Sequence, residues 1–235
     1  HARIMGTRQQ SGYIQGAIFD WALAVGRERS AHLQRGEALP LLVSLQAMIA
    51  ARLVFARIHE TLGGRVRLMV SGGAPLAREI MEFFHAIGLL VLEGYGLTET
   101  TPILTCNRPD RFRFGTVGPA IPGVSLRIAP DGEILAKGPN VAQGYYKRPE
   151  ATAESWDAEG WFHTGDIGEI DADGFVRITD RKKDLIKTSG GKYVAPQNIE
   201  NLLKTQLHIS QAVVIGDNRK YVVALLTLDF EEVER

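Results

Sequence analysis

Disulfide chemistry is the first thing the sequence leaves out. Cys106 is the only cysteine in 235 residues, so no intramolecular disulfide can form. Charge of one sign is also missing. The 27 basic and 27 acidic side chains cancel, which gives no hint of a nucleic-acid or polybasic-membrane partner. The longest apolar runs, such as Ile87 to Leu92 and Val222 to Leu228, are too short to span a bilayer. There is no internal repeat, no low-complexity tract and no signal-peptide pattern. The chain opens on His1 rather than Met, and the expectation is of a piece excised from a longer protein. What is present is ordinary for a globular chain, 45% hydrophobic and 23% charged, with enough length for one or two domains.

Residues 12–35 and 41–62 are rich in Ala, Leu, Arg and Glu and predict two helices separated by Pro40 and closed by Gly63-Gly64. A β-α-β pattern follows. Arg65 to Val70 reads as a strand, Ser71-Gly72-Gly73-Ala74 as a turn, and Pro75 as the first turn of a helix with an apolar stripe at 76, 80, 83, 84 and 87. Leu89 to Leu92 is the next strand. A strand, helix and strand so closely spaced predict parallel neighbours and a right-handed crossover. Beyond residue 115 the chain turns β-rich. Pro130-Asp131-Gly132 and Asp171-Ala172-Asp173-Gly174 each join two strand-like stretches into a hairpin. The charged run Asp180 to Asp184 separates this bulk from a tail that reads strand (184–187), Gly-rich turn, helix (196–207), strand (211–215), strand (221–228).

Three segments carry candidate chemistry. Glu93-Gly94-Tyr95-Gly96-Leu97-Thr98-Glu99-Thr100-Thr101-Pro102 directly follows a strand, where open α/β sheets collect ligands. Tyr95 offers a flat face for a base, Thr98 a hydroxyl for phosphate, and Glu99 a hard oxygen for Mg²⁺. Glu99 stands where a dinucleotide fingerprint would have its third glycine. The plainer reading, a turn with polar loop residues, stays open on these residues alone. In Gly160 to Asp166, Asp166 is an acceptor suited to two ribose hydroxyls, although an aspartate entering a strand is commonly a turn residue. His163 reads as a structural imidazole. In Asp180 to Gly191, Arg181 and Lys187 suit phosphate or carboxylate, and the run meets a domain border where a hinge belongs.

Taken in order, Ser71-Gly72-Gly73-Ala74-Pro75, Tyr95 to Glu99, Thr164-Gly165-Asp166 and Asp180 to Lys187 resemble the adenylate-forming superfamily of acyl-CoA synthetases, peptide-synthetase adenylation domains and beetle luciferases. The wording of Glu93 to Pro102, Asn140 to Lys147 and Asp180 to Lys187 is most similar to a bacterial long-chain fatty acyl-CoA ligase. The resemblance implies an α/β fold: part of a large adenylating domain (parallel βαβ sheet plus β-rich subdomain) over 1–179, a hinge at 180–184, and an incomplete small α+β domain over 185–235.

It also implies roles. Gly73, Ala74 and Pro75 would lie along adenine, with Tyr95 stacked on or flanking it and Gly96 beside it. Thr98 would contact the α-phosphate, Glu99 would hold Mg²⁺, and Asp166 would bind the ribose hydroxyls with help from Arg181. Lys183 matches the hinge, and Lys187 a lysine brought to the site for thioester formation; Thr98, Glu99 and Lys187 are the expected catalytic residues. The implied substrates are a fatty acid, ATP and coenzyme A, with no nucleic acid. The implied location is cytoplasmic, with peripheral contact at the inner membrane open. Two family pieces are not found, a Ser/Thr/Gly-rich phosphate loop before the matched region and a late lysine in a Gly-Lys context. The expectation is therefore of a piece inactive as a ligase and prone to self-association. The alternatives are an adenylation domain feeding a carrier protein and a non-catalytic nucleotide-binding module.

Overall fold

The computed structural model describes residues 12–234 together with Ile4, Gly6 and Arg8. The extreme ends of the expected 1–179 and 185–235 domains, His1 and Arg235 included, lie outside the described residues. The chain forms two compact units. One runs to Ser71 and includes Leu76–Leu92; the other comprises Gly72–Pro75 and everything from Glu93 onward.

In the first unit the expected helices are α1, Tyr13–Gln34, and α2, Leu41–Ala50, which starts after Pro40. A single π turn, Ala51–Phe55, carries α2 into α3, Ala56–Thr61. Gly63 and Gly64 stop it, with φ of +90° and +66°, and their N–H groups donate to Glu60 O and His59 O. Then come β1, Leu68–Ser71, α4, Arg78–Ala86, and β2, Leu90–Tyr95. β1 and β2 are neighbours in one sheet. Ala22, Leu23, Ala50, Phe55, Phe83, Ala86, Ile87 and Leu89 form the core of this unit. Gly26 of α1 is needed there, because a Cβ would lie 2.4 Å from the carbonyl oxygen of Ala86.

Two expectations are corrected here. Pro75 lies outside the first helical turn, since α4 starts at Arg78 from an extended Ala77 (φ −61°, ψ 133°), leaving 72–77 as loop. And one stretch is long and apolar enough to cross a membrane by length and composition. The continuous helix Leu41–Thr61 has 21 residues, and an 18-residue window within it has a mean hydropathy of 1.7 with only 17% of it buried. Unbroken runs miss it because Ser44, Gln46 and Arg52 interrupt the sequence without interrupting the helix. A core helix of a soluble protein meets the same test.

The second unit is built on a five-stranded sheet of order β4-β8-β7-β6-β5. Its strands are β4, Gly118–Pro119, β5, Ser125–Ile128, β6, Glu133–Lys137, β7, Phe162–Ile170, and β8, Phe175–Arg181, each antiparallel to its neighbour. Both expected hairpins are present. Before this sheet, β3, Thr105–Cys106, pairs antiparallel with the end of β2, placing Thr105 opposite Tyr95. A short helix missed by sequence periodicity, α5, Pro149–Ser155, precedes β7. Leu104, Ile134, Ala136, Phe162 and Val176 form the core, with Tyr95 packed into it.

β8 runs through Arg181, so two residues of the expected 180–184 hinge belong to the strand. The tail then forms two separate two-stranded pieces. One is β9, Ile186–Lys187, with β10, Tyr193–Val194; the other is β11, Ile209–Ile215, with β12, Val223–Leu228. Between them lies α6, Pro196–Lys204, with proline at its start where a missing N–H costs nothing. The last element is α7, Phe230–Val233.

Candidate functional site

Asp166 and Arg181 stand directly opposite each other in the β7–β8 ladder. Strand alternation turns Phe162, Thr164 and Asp166 to the buried face, so Asp166 is only 5% exposed. A carboxylate there is tolerable only if hydrogen-bonded. Arg181 Nε donates to Oδ1 at 3.0 Å and the Tyr95 hydroxyl donates to Oδ2 at 2.6 Å. Burial, then the neighbouring Asp166 charge, pushes the Tyr95 phenol well above its usual range, so it is a firm donor. Each Asp166 oxygen keeps a lone pair beyond its protein contact.

Tyr95 ends β2, and the chain turns at once. Gly96 allows this, because a Cβ there would sit 2.0 Å from Pro102 O and 2.7 Å from Ile103 Cα. The space at Gly96 is thus taken by the protein's own backbone rather than held open for a ligand. A 3₁₀ turn, Thr98–Thr100, follows. It is locked by buried Thr100, whose hydroxyl accepts the Leu97 N–H at 2.9 Å and donates to Leu97 O at 3.0 Å. Asn140 Nδ2 donates to Thr100 O and Ile103 O, and Ala142 N–H donates to Glu99 O. Thr98 is left exposed and Glu99 half-buried. The Tyr145 hydroxyl donates to Glu99 Oε1 at 2.7 Å, and that bond raises the Tyr145 pKa. Gly73, Ala74 and Pro75 are exposed in the turn after Gly72, where a Cβ would be 3.4 Å from Gly94 O, so this turn lies beside the end of β2. Gly73 adopts φ +80°.

The structure thus joins Tyr95, Asp166 and Arg181 by direct hydrogen bonds. It sets Gly73 to Pro75 and the Thr98–Glu99 turn off the end of the strand that carries Tyr95. Lys183 is exposed in the turn after β8. Lys187 is exposed in β9, its ammonium 5.6 Å from the Tyr193 ring centre. Among the described residues neither lysine bonds to Thr98, Glu99 or Asp166.

A second buried carboxylate, which no sequence motif marks, bonds to the residues that flank the pair. Glu133 accepts from His163 Nδ1 at 3.0 Å, Gly165 N at 2.9 Å and Lys182 Nζ at 2.9 Å. Burial pushes its pKa up, but these donors together outweigh burial and hold it below the usual glutamate value. Asp180, 1% exposed, is the opposite case. Burial raises its pKa, the Arg181 N–H (2.6 Å from Oδ1) and the Gln197 N–H only partly oppose it, Oδ2 has no partner among the described residues, and Asp184 and Glu200 add like charge.

Among the described residues no group of three or more His, Cys, Asp or Glu side chains is arranged to hold a metal. A lone carboxylate such as Glu99 does suit Mg²⁺, which takes one or two protein oxygens and completes its shell with substrate phosphate and water.

The chain matches two family models, "AMP-binding enzyme" over residues 18–146 and "AMP-binding enzyme C-terminal domain" over 183–234. It is 43% identical over 220 residues to the long-chain-fatty-acid–CoA ligase FadD15 of Mycobacterium tuberculosis, covering 94% of this chain and 36% of that one. It is 36% identical over 233 residues to the long-chain-fatty-acid–CoA ligase ACSBG1 of Mus musculus, covering 96% and 32%. Among solved structures it is similar to ATP-bound MatB from Rhodopseudomonas palustris, with TM-score 0.62 and 36% identity over 78% of this chain and 38% of that one. It is similar also to O-succinylbenzoate coenzyme A synthetase (MenE) from Bacillus subtilis with ATP and magnesium, with TM-score 0.63 and 29% identity over 74% and 40%. The chain therefore spans little more than a third of these relatives. The first family model covers more than half of the chain, and the chain belongs to the AMP-binding enzyme family.

Proposed function

We propose that this chain supplies the nucleoside-binding part of an ATP-dependent long-chain fatty acid–CoA ligase. The observation that carries the reading is the Tyr95–Asp166–Arg181 cluster, a buried carboxylate with spare lone pairs beside an exposed turn that offers Thr98 and Glu99. Relatives such as FadD15 and ACSBG1 bear the name of long-chain fatty acid–CoA ligases, which favours coenzyme A over a carrier protein as the acyl acceptor.

In this reading a fatty carboxylate attacks the α-phosphorus of ATP, giving acyl-AMP and pyrophosphate, and the thiol of coenzyme A then displaces AMP. Asp166 accepts from the ribose hydroxyls and Arg181 holds its orientation. Gly73, Ala74 and Pro75 border the adenine, and Tyr95, fixed through its hydroxyl, flanks it. Thr98 donates to an α-phosphate oxygen, and Glu99 with Tyr145 provides the protein oxygen for Mg²⁺. When bound, Mg²⁺ offsets charge on the phosphates and the leaving pyrophosphate. Donors fixed before the reaction stabilise charge that develops at phosphorus, and alignment matters more than a protein nucleophile. Lys183 serves as the hinge of a small domain over 185–235, which carries Lys187 to the site for the second step. A cytoplasmic location with peripheral membrane contact goes with a fatty-acid substrate; co-sedimentation with vesicles tests the contact. Self-association of the chain is proposed from strand β12, whose apolar residues Val223, Leu225, Leu226 and Leu228 are all exposed, and is read by sedimentation velocity.

Calorimetric titration with AMP, comparing this chain with Asp166→Ala, tests the nucleoside site. Binding that disappears in the variant supports the reading, and equal heats from both end it. A pyrophosphate-release panel from acetate to palmitate on the full-length protein tests the acid class, and a preference for acetate over palmitate refutes it.

A further inference from the structure

Glu133 opens β6 immediately after the Pro130-Asp131-Gly132 turn and is 3% exposed. Its three donors are not scattered. Gly165 immediately precedes Asp166, and Lys182 immediately follows Arg181. His163 lies on the same strand as Asp166, and Lys182 Nζ reaches on to Asp131 Oδ2 at 2.7 Å. Lys182 N–H also donates to Gly165 O at 2.8 Å, tying the two flanking residues to each other. The ladder between β7 and β8 shifts register just beyond, between Ile167 and Gly168, and Gly165 sits at φ +72°. Regular pairing is therefore interrupted where the site needs a fixed geometry.

We propose that Glu133 is a positioning residue which, by gripping Gly165 and Lys182 at once, sets the Asp166–Arg181 pair in the orientation that receives the ribose of AMP or ATP. This rests on the reading of Asp166 as the ribose acceptor. Glu133 touches neither the nucleotide nor the reacting atoms. It acts through the backbone of β7 and the turn after β8, and through Lys182 it anchors the residue next to Lys183. A carboxylate is required, because Oε1 takes the Gly165 N–H while Oε2 takes two further donors, His163 Nδ1 and the Lys182 ammonium. Glutamine keeps the size but presents an NH₂ to one of these sets of donors, leaving a buried donor unmet.

The test uses this chain with AMP as probe and four proteins: wild type, Glu133→Gln, Lys182→Met and Asp166→Ala. Lys182→Met loosens the same grip from the half-exposed side and keeps the test open if Glu133→Gln fails to fold. We expect AMP affinity to fall roughly tenfold or more in Glu133→Gln and several-fold in Lys182→Met, with a cooperative melt retained. Amide exchange over 163–167 and 180–183 should quicken in both, a change that a residue merely filling the core would not confine to these segments. Wild-type affinity in Glu133→Gln and Lys182→Met, with binding lost in Asp166→Ala, overturns the inference and leaves the nucleoside site standing. No AMP uptake by wild type, or equal uptake by Asp166→Ala, overturns the nucleoside reading and this inference with it.

Discussion

A Cβ on Gly96 would lie 2.0 Å from the carbonyl oxygen of Pro102, closer than any real contact. The obstruction is backbone, so no side-chain rotation relieves it. The loop must move, and with it the Thr98–Thr100 turn that Asn140 fixes at Thr100 and Ile103. Gly96→Ala is expected to cost about 1–3 kcal/mol, the usual scale of forced overpacking. It should also weaken AMP binding. Urea unfolding read against wild type checks the first effect, and an unchanged midpoint would mean that the loop yields freely.

Much of this architecture is legible in the chain itself. Pro40, Gly63-Gly64 and the two Asp-Gly turns mark boundaries through local backbone chemistry, which needs no tertiary partner. Asp166 and Arg181 are found by motif, and their pairing follows once the second hairpin is in register. Glu133 escapes because its meaning is not local. Nothing near it in sequence distinguishes it from a turn-end glutamate, and its donors lie 30 to 49 positions away. The same holds for Tyr145, 46 positions from Glu99. The helix start at Arg78 is not legible from Pro75, because proline suits a first helical turn and a loop equally well. The exposed apolar helix Leu41–Thr61 escapes a search for unbroken runs, since polar residues spaced along a helix leave its mean hydropathy high.

Tyr145 and Glu99 form a bond on the surface of the second unit, so its loss should hardly touch the fold. Tyr145→Phe is expected to change stability within about 0.5 kcal/mol. It also frees the Glu99 carboxylate to rotate away from the position in which it would meet Mg²⁺. ATP affinity in the presence of Mg²⁺ should fall about two- to fivefold, with affinity in its absence unchanged. Parallel titrations with and without Mg²⁺ separate the two, and an equal loss in both would show that Tyr145 contacts the nucleotide rather than steadying Glu99.

Glu133 also sets an acid limit. Its pKa is lowered in the folded chain, so its ionised form stabilises the fold at pH above the ordinary glutamate value. That contribution is lost as pH falls through the lowered folded value. At neutral pH, Glu133→Gln is expected to cost about 2–3 kcal/mol, because charge-assisted bonds to a side chain 4% exposed are removed. Denaturation midpoints taken from pH 7 down to pH 3 should show the gap between variant and wild type narrowing at the acid end. A gap that stays constant would assign the loss to packing.

Asp180 predicts the reverse sign. Burial raises its pKa above the unfolded value, and its Oδ2 has no hydrogen-bond partner among the described residues. Any stabilisation from its protonated form is complete below the unfolded pKa and is lost as pH rises through the folded one. At neutral pH the wild-type chain therefore holds a charge that is costly to bury, made worse by Asp184 and Glu200. Asp180→Asn removes that charge and keeps an oxygen to accept the Arg181 N–H, at the lesser cost of an unpaired amide NH₂ and a weaker bond to the Gln197 N–H. The variant should be more stable than wild type by about 1 kcal/mol at pH 7. The gain should fade, then reverse, as the wild-type carboxylate takes up its proton on acidification. Because Asp180 also accepts from the Gln197 N–H in the first turn of α6, amide exchange there reports whether the neutral amide oxygen keeps that bond. A variant less stable than wild type at pH 7 would mean that the Asp180 charge is compensated, and that the end of β8 relies on it.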